Sequence, residues 1–101
     1  MPQIIQKYPS SKPNIIHVDA RSVSELCEEK RMILLPVNLG GGLMLLVQSN
    51  TEYDNPNFIF ENMGISGSVF VVRFTKDKLI DVREDDLEKF LDQITIIEEE
   101  Y

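Results

Sequence analysis

The spacing of hydrophobic residues predicts strands over most of the chain and a helix near its end. Short runs rich in Ile, Leu and Val are typical of β-strands, and they cover residues 14–20, 32–38, 43–48 and 66–74. Between residues 87 and 94, apolar residues recur at i, i+3, i+4 and i+7, which is the spacing of one helix face. This second pattern predicts a helix from about Glu84 to Ile94.

The order of these elements predicts the fold class. Strand, helix, two strands, a short helical turn, strand and helix follow one another, which is typical of an α+β fold. We expect a small antiparallel or mixed sheet of about four to five strands with two to three helices. The acidic C-terminal helix is expected to pack on one face of that sheet.

The 101 residues predict a single domain with less regular ends. Residues 1–13 contain three prolines and are predicted to be an extended N-terminal arm, with a short edge strand as the alternative. Residues 14–97 form the predicted α+β domain. Residues 98–101 are predicted to be a frayed acidic tail.

Two polar signals predict where helical turns begin. Ser22 stands three residues before Glu25, which is the spacing of a capping box, and predicts a helix over about Val23–Lys30. Asn55 and Pro56 predict the start of a single helical turn that ends near residue 62.

Glycines and alternation predict the pairing and the faces of the strands. The triplet Gly40–Gly42 joins two apolar runs, which favours a β-hairpin. In the strand over 66–74, the set Phe70, Val72 and Phe74 is wholly apolar, so we assign it to the core face.

Acidic residues are concentrated in the last quarter of the chain. Residues 76–101 hold ten acids and four bases, so they carry −6 of the net charge of −7. An acidic surface repels nucleic acid and attracts basic protein surfaces. The candidate partner-binding residues are Glu84, Asp85, Asp86, Glu88 and Asp92. The alternative is that this face only keeps the protein soluble, and the helix macrodipole gives a local reason for the acids of the first turn.

Cysteine and histidine, the usual residues of nucleophilic catalysis and zinc binding, occur once each. Cys27 is the single cysteine, which excludes an internal disulfide and a multi-cysteine zinc site and favours a buried structural thiol in a reducing cytoplasm. His17 is the single histidine and is expected to form a cross-strand surface pair, with Asp19 nearby. The longest apolar stretch, Leu43–Val47, is too short to span a membrane. No catalytic residue, metal site or cofactor is therefore predicted.

The glycine triplet is the remaining candidate for ligand contact. A phosphate-binding loop opens a helix and carries Lys followed by Ser or Thr, whereas Gly40–Gly42 precedes an apolar strand. A hairpin turn is the favoured interpretation. A ligand-contacting loop, placed beside the polar segment 50–57, is the alternative.

Two segments resemble a known family. The strand Ile65–Val72, which reads ISGSVFVV, is followed by the acidic segment Val82–Leu87, which reads VREDDL. With the order of elements over residues 14–94, this resembles a family of small domains of unknown function from phages, plasmids and conjugative elements. The resemblance implies a mobile-element origin and an accessory role, and it implies no activity or site residues.

Three functions follow from these observations. The favoured one is a small cytosolic, non-enzymatic interaction or accessory module that binds a basic protein through its acidic helix. The second is a homo-oligomer joined through the apolar hairpin, because residues 32–37 and 43–47 are apolar on both faces. The third is a ligand-binding domain or enzyme that uses the glycine loop.

Overall fold

The computed structural model describes residues 1–35, 39, 42–48 and 56–97, which form two antiparallel sheets and two helices. The strands are β1 (Gln3–Lys7), β2 (Asn14–His17), β3 (Met32–Leu35), β4 (Leu43–Gln48), β5 (Pro56–Phe60), β6 (Met63–Ser66), β7 (Val69–Thr75), β8 (Lys78–Ile80) and β9 (Ile94–Ile96). The helices are α1 (Val23–Lys30) and α2 (Glu84–Gln93). The α+β class and the antiparallel pairing are confirmed, but the strands outnumber those expected.

The larger sheet, sheet A, has six strands in the order β2-β1-β7-β4-β3, with β8 paired to β7. The smaller one, sheet B, has the order β6-β5-β9. Helix α1 packs on one face of sheet A, whereas sheet B and α2 cover the other face. The molecule is thus built in three layers, and sheet A lies in the middle.

The N-terminal segment is an inner strand of sheet A, so the prediction of a separate arm over residues 1–13 is wrong. Strand β1 pairs with both β2 and β7, and Ile4 and Ile5 are fully buried on opposite faces. The prolines lie outside this strand, where a missing N–H does not interrupt the hydrogen-bond ladder. Because three prolines in 13 residues are typical of an extended arm, the sequence does not predict this strand.

Strand β7 is buried on both faces, so the assignment of Phe70, Val72 and Phe74 as the sole core face is also wrong. Val69 and Val71 are fully buried towards sheet B, while Phe70 and Val72 are buried towards α1. A central strand covered by a layer on each side is apolar throughout rather than alternating.

The segment after Pro56 forms strands β5 and β6, where a helical turn was predicted. Phe58 and Phe60 alternate into the core, and a two-residue turn at Glu61 and Asn62 joins the strands. Both turn residues have positive φ, as in the turns that match the twist of paired strands. Alternating aromatic residues, which suit a half-buried sheet, outweigh the Asn-Pro signal.

The predicted hairpin around the glycines is confirmed in its strands. Strands β3 and β4 pair antiparallel from Met32↔Gln48 to Leu35↔Leu45. Gly42 has a φ of 81°, a value that suits glycine. Gly40 and Gly41 lie outside the described residues, so the ligand-loop alternative lies there too.

Helix α1 begins where the sequence predicts. The Ser22 hydroxyl accepts a hydrogen bond from the Glu25 N–H at 3.1 Å, which satisfies a free donor of the first turn. The Glu25 carboxylate accepts from the N–H of Arg21 instead of Ser22, so only half of the capping box forms. The β7–β8 turn holds the same end of the helix, since Asp77 accepts from the N–H groups of Val23 and Ser24.

Candidate functional site

Helix α2 is anchored on one side and exposes acids on the other. Phe90 is fully buried, and its ring meets that of Phe58 edge-to-face at a centroid distance of 5.4 Å. The four outward acids fall within a stripe about 100° wide, because successive helical residues turn by about 100°. We call this stripe the acidic ridge, and it consists of Glu84, Asp85, Glu88 and Asp92. Within the described part of the chain, none of the four side chains forms a hydrogen bond or an ion pair.

Asp86 does not belong to that surface, which corrects its assignment as a partner-binding residue. Its side chain is 2% exposed and accepts a hydrogen bond from the Arg73 guanidinium at 2.5 Å. The other carboxylate oxygen accepts from the N–H of Arg83 at 2.9 Å. Asp86 therefore joins the start of α2 to β7, and it faces inward because it lies two residues, or about 200°, beyond Glu84.

The edge of sheet A exposes apolar side chains. Strand β3 is the last strand of its side of the sheet, and Ile33 and Leu34 are 51% and 39% exposed. Beside it, an open cleft of about 180 Å³ lies between the β3–β4 hairpin and β6, with Leu35 and Met63 among its lining residues. Open apolar edges are where strands from another chain pair.

A larger groove, of about 330 Å³, lies on the α1 face of sheet A. Helix α1 has only eight residues, so it covers part of that face and leaves the rest open beside its C-terminal end. The apolar side chains of Ile16, Met32 and Phe70 line the groove. Asp19, Glu29 and Lys30 lie among the remaining lining residues.

The polar groups of this groove retain spare hydrogen-bonding capacity. The Gln6 amide donates to the Tyr8 hydroxyl at 2.6 Å, and the Ser68 N–H donates to the Gln48 amide oxygen at 3.0 Å. Among the described residues, the amide oxygen of Gln6, the hydroxyl proton of Tyr8 and the amide N–H groups of Gln48 have no partner. The groove thus presents both donors and acceptors.

The single histidine and the single cysteine do not form a reactive pair in this structure. His17 is exposed, and its Nε2 lies 3.1 Å from the Gln3 amide nitrogen on the neighbouring strand, so its predicted cross-strand pairing is made with Gln3. Cys27 is half-buried on α1, and burial, with the Asp77 charge second, raises the pKa of its thiol. A raised pKa lowers the thiolate fraction, which makes the sulfur a weak nucleophile.

A buried polar link joins the two sheets. Lys7 is fully buried, and its amine donates to the Asn57 amide oxygen at 2.6 Å and to the Tyr8 carbonyl at 2.7 Å. Asn57 in turn donates to the carbonyls of Lys7 and Gly67 at 2.9 and 2.7 Å. Burial lowers the pKa of Lys7. Because the amine is fully covered, this link holds sheet B against β1 and is closed to substrates.

Sequence reasoning overlooked both the groove and the link, although each left a signal. Gln6 and Gln48 are polar residues at the ends of apolar runs, and they point to the same face of sheet A. Lys7 continues the inward alternation of Ile5, and Asn57 precedes the buried Phe58. In both cases the signal is a polar residue that shares a strand face with core residues.

Comparison of the chain with protein-family models, curated proteins and solved structures found no match. The described residues contain no group of three or more potential metal ligands. They also contain no helix that is long and apolar enough to cross a membrane.

Proposed function

We propose that this protein is a non-enzymatic interaction module that binds a basic protein partner along the acidic ridge of α2. The observation that carries the proposal is the alignment of four exposed carboxylates, none of which forms an ion pair in the described part of the chain, although Lys89 lies one turn from Asp85. The resemblance of residues 14–94 to domains of mobile elements supports an accessory role in a phage or conjugative element. The single cysteine supports action in the cytoplasm.

Two like-charge pairs lie along the ridge, and a cationic partner would offset their repulsion. Glu84 and Glu88, and Glu88 and Asp92, are like charges at i and i+4, and each such pair destabilises a helix by roughly 0.2–0.5 kcal/mol. A cationic partner would relieve this repulsion. Because Phe90 fixes the helix from below, the carboxylates are presented on a rigid surface and need little ordering upon binding.

The test is a titration of the ¹⁵N-labelled protein with a helical peptide that carries a lysine at every fourth position. We expect amide shifts along the outward face of α2 that weaken as salt is raised, because exposed charges are screened. The variant E84Q/E88Q should lose most of the binding. The control E28Q/E29Q removes two exposed acids from α1 and should retain it. Equal losses of peptide binding in both variants would mean that the peptide responds only to the net negative charge of the protein. That result would contradict the proposal.

A second candidate is a homodimer formed by antiparallel pairing of β3 with the β3 of another copy. The exposed Ile33 and Leu34 on an edge strand favour it, since such a contact continues the sheet and is self-complementary about a two-fold axis. Light scattering at two salt concentrations tests it. A salt-independent dimer that is lost in I33K and kept in I59K, which alters an exposed isoleucine of the central strand of sheet B, would support the dimer. A monomer in both salts would contradict it.

A further inference from the structure

We propose that the groove beside α1 binds an uncharged nucleobase or nucleoside. The volume of the groove, about 330 Å³, lies at the small end of the range of ligand sites, roughly 300–1,000 Å³. This volume suits one small ring system and excludes a folded partner. The groove is separate from the acidic ridge, because none of the ridge acids line it.

The lining of the groove favours a flat ligand. Phe70 lies on β7 directly opposite Gln6 of β1, and on its other side it faces Leu46 of β4. Phe70 and Met32 are only 6% and 5% exposed and form a packed apolar lining, whereas Tyr8, which is 48% exposed, presents an open aromatic ring to the groove. An aromatic surface favours a planar ligand, because every nucleobase offers a flat π-face for stacking.

The side-chain amides of the groove suit the hydrogen-bonding edge of a nucleobase. Gln6 and Gln48 flank Phe70 from neighbouring strands, since Gln48 lies two residues beyond Leu46 on the same face of β4. Their free groups and the Tyr8 proton supply donors and an acceptor within one groove. A side-chain amide matches the adjacent donor and acceptor of a nucleobase edge, as glutamine does with adenine.

The charges of the groove favour an uncharged ligand. Asp19 and Glu29 are balanced there by Lys30 and by the N-terminal amine of Met1, so the lining is close to neutral, while the whole chain carries −7. The N-terminus of a helix, which favours phosphate, is absent here, because the groove lies at the other end of α1. A phosphate group would therefore gain no net attraction in the groove and would be repelled by the chain as a whole, which favours the base or nucleoside over the nucleotide.

The experiment is a titration of ¹⁵N- and methyl-labelled protein with adenine, adenosine, cytidine and AMP at millimolar concentrations. Binding of a base or nucleoside should shift the Gln6 and Gln48 side-chain amides and the Met32 methyl, and AMP should bind more weakly than adenosine. Q48A should weaken binding about 3- to 10-fold, the loss of one or two neutral hydrogen bonds.

The control E88Q alters the acidic ridge and should bind the nucleoside as the unchanged protein does. A nuclear Overhauser effect between the ligand and the Tyr8 ring places the ligand in the groove without any substitution. The proposal is overturned if none of the four compounds shifts the groove resonances. It is also overturned if AMP binds more tightly than adenosine, or if Q6A and Q48A both leave the affinity unchanged.

Discussion

The two faces of sheet A are covered to different extents, and the difference decides what each face can do. On one side, sheet B and α2 seal the face, so that Ile5, Leu45 and Val71 are fully buried. On the other side, the eight-residue α1 leaves a groove open. Polar groups on the sealed face, such as Lys7 and Asn57, form bonds with one another, whereas those on the open face keep free donors and acceptors. Both faces thus contribute buried residues to the core, and the open face also leaves polar groups uncovered, on which the proposed ligand site depends.

The largest effect is expected where α2 seals the core. The substitution F90A removes a fully buried ring and its edge-to-face contact with Phe58, so it should lower the free energy of unfolding by about 3–5 kcal/mol. Its neighbour Leu91 is 38% exposed, so L91A should cost less than about 1 kcal/mol. Urea denaturation measures both, and similar losses would contradict the assignment of the buried helix face.

Asp86 should behave as part of the sealed face although it lies among surface acids. D86A removes the partner of Arg73 and the acceptor of the Arg83 N–H, and we expect a loss of about 2–4 kcal/mol. The matched control D85A removes an exposed acid from the same turn and should change stability by less than about 0.5 kcal/mol. If D86A proves as mild as D85A, the ion pair with Arg73 does not contribute to stability.

These residues show what the sequence can predict. The helix spacing from Leu87 to Ile94 and the serine cap at Ser22 located both helices, because local periodicity and capping depend on nearby residues. Acids in a first helical turn look alike in sequence, so Asp86 could not be told from Asp85. What separates them is Arg73, which lies on another element and is brought near only by the fold.

The same limit explains the missed strand and the missed groove. Prolines around β1 suggested an extended arm, and only pairing with β7 on one side and β2 on the other shows an inner strand. The groove depends on how far α1 reaches over sheet A, which is a matter of packing. The polar residues Gln6 and Gln48 can be picked out in the sequence. Only the order of the strands in sheet A shows that they lie on the same face.

A matched pair of amide substitutions tests the comparison of the two faces directly. N57A removes two hydrogen bonds to buried carbonyls and leaves the Lys7 amine without one acceptor, so it should cost about 2–3 kcal/mol. Q48A removes an exposed amide on the open face and should cost less than about 0.5 kcal/mol. Thermal and urea unfolding provide the measurement. Equal costs would mean that the two faces do not differ in how much they rely on polar contacts.

The smallest expected effect is a pH dependence of the free energy of unfolding, which tests whether water is excluded from the Lys7 amine. Burial lowers the pKa of Lys7 in the folded state from its ordinary value of 10.5, so the unfolded chain binds more protons between the two values. The free energy of unfolding should therefore rise with pH through that window, and this contribution is lost as the pH falls through the folded-state pKa. Cys27 acts in the opposite sense above pH 9.0, because its pKa is raised in the folded state.

The variant K7M separates the two groups, because it keeps Cys27 and removes the amine. The stability of the unchanged protein minus that of K7M should increase with pH, whatever constant offset the lost hydrogen bonds introduce. Urea titrations of both proteins at a series of pH values up to 10.5 measure this difference, since Cys27 is present in both proteins and its contribution cancels. A difference that is independent of pH would mean that water reaches the Lys7 amine in solution. The sealed face would then be open at the junction of the two sheets, where Lys7 meets Asn57.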